Sequence, residues 1–408
     1  MQQLVYLDSN DFSYLSAPQE QLRKEYRTVL EFLRERKRDE TVKFFMSAVH
    51  LSEAVHAAET HKEAAVRRAE LMRELCGSNI LRFPTELPEL ELKRALQGDK
   101  AVSLSIDEIT SKEGEWFGVD VPIDGMDERR IRLRREVDAL LDKLPRRTRR
   151  KLRSELDPQK SSSYDKWREL LTSGARSVPI EFPFSLLGQN TAIDWLLGKI
   201  TNAEFRGRTL KITRNPYIMF KYLLDETKIR QELYEALRKQ GRDMAAQVEL
   251  SAQQIIAALS PFVTSQIEPR LDAKIDELCS ASETLRRIIS SFHVRVDTVG
   301  DEELRSIVES CPSLFVFTAA IKNKFRSRAF SYLSRIRGGN TLVKEEKPSD
   351  FGDFMHCFYA PYFDVFRCDA SFSEVLKSHK PVRSKIAGRI GDLVRILSDG
   401  AAARCDVA

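Results

Sequence analysis

Two acid-bearing segments stand at opposite ends of the chain. The first is Leu4-Val5-Tyr6-Leu7-Asp8-Ser9-Asn10, with Glu53 following in Ser47-Ala48-Val49-His50-Leu51-Ser52-Glu53. The second is Asp353-Phe354-Met355-His356, running on to Asp364-Val365-Phe366-Arg367-Cys368-Asp369. An apolar run that ends in an acid places a carboxylate at the carboxyl edge of a buried strand, where open α/β sheets locate their chemistry. Asp8, Glu53, Asp353 and Asp369 converging at one edge would repel one another, and a hard divalent cation, Mg²⁺ or Mn²⁺, relieves that repulsion. Such a cation activates water and stabilises charge on a phosphate, so the chemistry expected of this set is phosphodiester hydrolysis. Asp353 and His356 are three apart and share a helix face; His356 either orients a carboxylate or is a buried ring satisfied by backbone. Asp11 and Asp350 are as readily helix caps as ligands.

The elements that must position these acids are those of a parallel sheet. Leu4–Leu7 reads as a strand, residues 19–38 as a helix with Leu22, Tyr26, Leu30 and Leu33 on one face, and Val42–Met46 as a second strand. Ser47 caps a helix running to about Leu75. A short helix over Gly352–Ala360, a strand over Asp364–Cys368, a helical turn at Ser373–Ser378 and a last strand at Leu393–Leu397 complete the pattern. Between the ends the sequence is helical and charged, with helices expected over Met126–Leu156, Tyr217–Leu259, Pro269–Cys279, Ser282–Ser291, Asp301–Cys311 and Leu314–Arg337. The Ser161–Ser163 run, the Pro179-to-Pro183 region and Gly300 read as connections. The expected architecture is α/β: a parallel sheet flanked by helices and built from residues 1–84 and 340–408, with a large all-α insertion over 85–339.

The 408 residues carry a net charge of +5, too little by itself to indicate a nucleic-acid partner. Its distribution is more informative. Arg146, Arg147, Arg149, Arg150, Lys151 and Arg153 form one cluster, and Lys322, Lys324, Arg326 and Arg328 another; either could track phosphates. Trp116, Trp167, Trp195 and the Phe315–Phe330 stretch are core residues by default and base-stacking residues by exception. Six cysteines without a C-x-x-C pair point to reduced thiols and a cytoplasmic setting, not a structural zinc. No apolar run reaches membrane-spanning length.

Together the acids resemble a known family. Asp8-Ser9-Asn10 after the first strand is similar to the opening motif of the PIN domain, a metal-dependent nuclease fold. Glu53 looks like its second acid, Asp353-x-x-His356 like a bacterial variant of its third-acid helix, and Asp369-x-x-Phe372 like its fourth acid. The resemblance covers residues 1–84 and 340–400. It implies a Mg²⁺- or Mn²⁺-dependent nuclease, with RNA favoured over DNA, in which Asp8, Glu53, Asp353 and Asp369 hold the metal. Asn10, His356, Asp364 and Arg367 would support them. Arg367 departs from the family's Ser or Thr: either it is a phosphate contact or it marks an altered fourth site. The insertion, far longer than the family's usual connection, would serve as a cap or as a surface for a protein partner or a second copy. A flap-type DNA nuclease and a catalytically silent scaffold that binds RNA or protein are the alternatives.

Overall fold

The protein is described from a computed structural model. It describes residues 2–55, 58–99, 102–112, 126–156, 191–225, 264–336, 350–377 and 385–405, with a few residues between these spans, 116, 166–167, 382 and parts of 230–257 among them. Ser161–Ser163, the Pro179-to-Pro183 region and much of the expected Tyr217–Leu259 helix lie outside the described residues.

Four strands form one all-parallel sheet in the order β2-β1-β3-β4: β1 (Gln3–Tyr6), β2 (Val42–Phe45), β3 (Val365–Arg367) and β4 (Ile386–Ala387). In register, Tyr6 lies opposite Phe45 on one side and Phe366 on the other, and Arg367 opposite Ala387. Val5, Tyr6, Phe44, Phe45, Val365 and Phe366 are all fully buried, as strands covered on both faces must be. The sheet is therefore built from both chain ends, with α1 (Ser9–Leu15), α2 (Lys24–Arg38), α3 (Ala48–Ala54), α4 (Lys62–Cys76) and α5 (Glu86–Leu96) among the helices of its N-terminal part.

Two expected elements differ. The helix expected from Ser47 to Leu75 ends at Ala54, because Val55 turns extended and buries its branched side chain (3 % exposed), tertiary burial overriding an uninterrupted helical pattern. The strand expected at Leu393–Leu397 is part of a helix, Ile390–Cys405, and the last strand is Ile386–Ala387 instead. Ile390, Leu393 and Leu397 recur at helical spacing on one buried face, a pattern that a short apolar window does not separate from a strand.

The chain divides into two compact units. One comprises Met1–Ser111, Trp116–Gly118 and Leu223–Ala408; the other comprises Lys112–Glu115 and Val119–Tyr222. The borders expected at 84/85 and 339/340 thus fall inside the first unit. The reason is a shared core: Leu87, Leu104, Val316 and Ala320, from the expected insertion, pack with Tyr6, Phe45, Phe363 and Phe366. In the second unit, Leu141, Leu156, Trp167, Ile193 and Leu196 form the core, and the Trp167 indole donates to the Leu156 carbonyl at 2.9 Å. Trp116 and Trp195 are buried as well, so none of the three indoles is free to stack on a base. Among the described residues, Cys76, Cys279, Cys311, Cys357 and Cys368 are free thiols. No single helix among them is long and apolar enough to cross a membrane.

One buried carboxylate joins the insertion-derived helices to this core. Glu91 on α5 is fully buried and accepts from the Ser313 amide at 3.1 Å and the Ser313 hydroxyl at 2.7 Å, at the start of the Pro312–Ile336 helix; the Tyr362 hydroxyl donates to it too. Burial pushes its carboxyl up to about 7, against the Ser313 and Leu314 donors. Glu91→Ala leaves several buried donors unmatched, and chemical denaturation is expected to show a loss on the order of 3 kcal/mol. An unchanged midpoint would mean that water replaces the carboxylate at no cost.

Candidate active site

Parallel strands bring their carboxyl ends to a single edge. Extending the register from Tyr6 places Asp8 level with Ser47 on one side and Cys368 on the other, one residue before Asp369. Asp8 is 5 % exposed and caps α1: Oδ1 accepts from the Asn10 amide at 3.2 Å, and the Asp8 amide donates to Asp11 Oδ2 at 3.2 Å. Among the described residues Asp8 Oδ2 is buried and finds no hydrogen-bond partner. Burial raises the Asp8 pKa, the charges of His356 and Arg367 and the Asn10 amide lower it, and the Glu53 charge raises it again.

Glu53 sits in the last turn of α3. Its Oε2 lies 3.1 Å from His356 Nε2. Burial opposes ionisation of Glu53, but His356, Ser9 and His50 together outweigh it and hold the pKa below the usual value. Gly352, in the Asp350–Cys357 helix, presses directly on this carboxylate: a Cβ there would stand 1.8 Å from Glu53 Oε1. Asp353, half-buried, follows in the same helix. Asp369 accepts from the Phe372 amide at 2.6 Å, at the start of the Ala370–Lys377 helix. Burial raises the Cys368 thiol pKa; the charges of Asp8, Asp353 and Asp369 add to that rise and Arg367 opposes it.

Behind the acids runs a polar relay that the sequence pattern did not reveal. The Ser47 amide donates to His50 Nδ1 at 3.0 Å, which leaves the proton on Nε2, donated to the Leu7 carbonyl at 2.8 Å. Burial first, then the neighbouring His356, lower the His50 pKa to about 3, keeping the ring neutral. Ser47 Oγ stands 2.8 Å from the Tyr6 hydroxyl, which stands 2.5 Å from His356 Nδ1. Among the described residues His356 is thus held by the Tyr6, Ser9 and Glu53 side chains. β1 is covered on both faces, so Tyr6 is buried whatever its role and no sequence signal marked it.

The supporting residues divide. Asn10 is exposed at the N-terminus of α1, beside Asp8. Arg367 is buried and pairs with Asp11 at 3.0 Å, its Nη1 3.3 Å from the Gly388 carbonyl, so it neutralises an internal carboxylate and is not placed to meet a phosphate. The Asp11 carboxyl, pushed up to about 7 by burial against the pull of Arg367, is that internal partner. Asp364 lies at the opposite, amino edge, accepting from the Leu4 amide at 2.9 Å, and takes no part in the cluster.

Of the expected phosphate-tracking residues, Lys322 and Arg326 pair with Asp276 and Asp272 of the Thr264–Ser280 helix, which removes much of that patch's charge; Lys324 lies between them. In the second unit, Arg146, Arg147, Arg150 and Lys151 are exposed along the Arg146–Glu155 helix, with Arg149 on Asp142 at 2.9 Å.

Among the described residues, no three His, Cys, Asp or Glu side chains lie together closely enough to hold a metal ion as they stand. The carboxylates instead rest on local donors: Asp8 on Asn10, Asp369 on Phe372, Glu53 on His356. The chemistry of the donor set nevertheless fits a hard divalent ion, because the donors are carboxylate oxygens and Asp8 Oδ2 is a buried acceptor with nothing donated to it. Compared with protein-family models, curated proteins and solved structures, the chain gives no match.

Proposed function

We propose that the protein is a PIN-like, Mg²⁺- or Mn²⁺-dependent nuclease that hydrolyses phosphodiester bonds, RNA before DNA. The observation that supports it most is the orphaned Oδ2 of Asp8, buried at the carboxyl edge of a parallel sheet and within the electrostatic reach of Glu53. Asp8, Glu53, Asp353 and Asp369 are the residues that would hold the ion. Bound there, it would supply an activated water and charge stabilisation at the phosphate. The chain's own contribution is positional. His356 fixes Glu53 Oε2, Tyr6 fixes His356, and the neutral His50 anchors Ser47 and through it Tyr6. Asn10, whose amide donates to Asp8 Oδ1, holds that carboxylate at the start of α1.

A second reading, a catalytically silent scaffold, draws on the absence of a ready three-acid cluster among the described residues. Labelled single-stranded RNA separates the two. The nuclease is expected to cleave it with Mn²⁺ and to stop in EDTA; binding that ignores metal, with no cleavage, supports the scaffold and sinks the nuclease. Cleavage confined to branched DNA would assign the flap-type activity instead.

A further inference from the structure

The face of α1 beside Asp8 carries two groups that the acids do not use. Ser13 and Tyr14 stand three and four residues beyond Asn10, whose amide serves Asp8, on one side of the helix that Asp8 begins. Tyr14 is 53 % exposed, and its ring lies on Tyr26 of α2 at 5.5 Å between centroids and 13° between planes. One aromatic face is thus backed by protein, while about half of the side chain stays exposed.

Next to it is Arg68, on α4. Its Nη2 donates to Ser13 Oγ at 2.9 Å and its Nη1 to the Glu53 backbone carbonyl at 3.3 Å, while Nε is buried with no acceptor. Among the described residues no carboxylate pairs with Arg68. Arg68 is half-buried, and both of its engaged donors meet neutral oxygens, a hydroxyl and a carbonyl. A phosphate matches what is missing: negative charge and oxygen acceptors for a guanidinium fork.

We infer that α1, Tyr14 and Arg68 form the landing site for a single strand of nucleic acid, one base stacking on Tyr14 and an adjacent phosphate held by Arg68. Tyr14 lies six residues beyond Asp8, about 9 Å along the helix axis, so neighbouring nucleotides of one strand reach both. A duplex cannot make the contact, because its bases already stack on each other. The inference rests on the nuclease reading for where the scissile phosphate lies, but its test reads binding alone.

The test uses the full chain in EDTA and fluorescence anisotropy with short labelled oligonucleotides: single-stranded RNA, single-stranded DNA, an abasic strand and a duplex. Tyr14→Ala is expected to weaken single-strand binding by roughly 5- to 150-fold, to leave abasic and duplex binding unchanged, and to be rescued by Tyr14→Phe. Arg68→Gln is expected to weaken every strand and to lower the salt slope by about one phosphate contact, with Arg68→Lys restoring most of it; thermal melting checks that each variant is folded. A folded Tyr14→Ala protein that binds single strands like the unaltered chain overturns the inference, even if metal-dependent cleavage is observed. Tyr14-dependent binding without any cleavage supports the landing site and removes the nuclease. RNA bound more tightly than DNA on the same site assigns the 2′-hydroxyl as a further contact, and equal binding assigns base and phosphate alone; either supports the site.

Discussion

Gly352→Ala is expected to leave the protein as stable as before and to empty it of metal binding. The new methyl group would stand 1.8 Å from Glu53 Oε1 and 2.9 Å from its Cδ, so one of them must move. Glu53 yields, because its carboxylate is the far end of a flexible side chain while Gly352 belongs to the backbone of the Asp350–Cys357 helix. The swing breaks the 3.1 Å contact with His356 and takes the carboxylate out of the acid cluster. Helix propensity works the other way: alanine in place of glycine gains about 0.5–1 kcal/mol. The melting temperature in EDTA should therefore hold or rise, while Mn²⁺ affinity by calorimetry falls at least about tenfold and RNA cleavage falls with it. A variant that binds Mn²⁺ and cleaves normally would take Glu53 out of the mechanism, since no fold defect could be blamed for a loss that did not occur.

Asp8→Asn is expected to remove metal-dependent cleavage, by a factor on the order of 10³ or more, and to stabilise the metal-free protein. Asparagine keeps the oxygen that accepts from the Asn10 amide and is itself a good helix cap, so α1 is retained. What disappears is a buried charge. The folded state holds the Asp8 proton more tightly than the unfolded chain does, so this contribution is complete below the ordinary value of 3.8 and is lost as pH rises through the raised, folded one. In EDTA at pH 8 the variant should melt above the parent, and the gap should close as the buffer is taken toward pH 4. With Mn²⁺ the order reverses, because only the parent gains from ligand binding. Equal melting at both pH values, with and without Mn²⁺, would show Asp8 to be no more than a cap.

How legible was this arrangement in the sequence? Strand–acid junctions were readable because an apolar run ending in Asp has few structural meanings, and Asp8 and Asp369 stand at the carboxyl ends of β1 and β3 as that pattern implies. The α/β class and its assembly from both chain ends followed from the same junctions. Arg367 and Asp364 were misread because spacing along a strand does not say which edge or face a side chain takes: one went inward to Asp11, the other to the amino edge at Leu4. The Lys322–Arg326 cluster looked free because its counter-charges, Asp272 and Asp276, belong to another helix. Arg68 and Tyr14 carried no signal at all; each is an ordinary residue on an amphipathic helix until α1, α2 and α4 are packed together. The compact units divide elsewhere for a similar reason, since Leu87 and Val316 read as insertion until they share a core with Phe45.

The pairing of Val5 with Val365 has a kinetic meaning. Ribosomes add roughly 5–20 residues each second, so β1 and β2 wait for something like half a minute before the strand that completes their sheet exists. Contacts so distant along the chain are also slow to find one another. A nascent polypeptide therefore carries Asp8 and Glu53 but neither Asp353 nor Asp369, and the four acids of the proposed site coexist only once synthesis has passed Asp369.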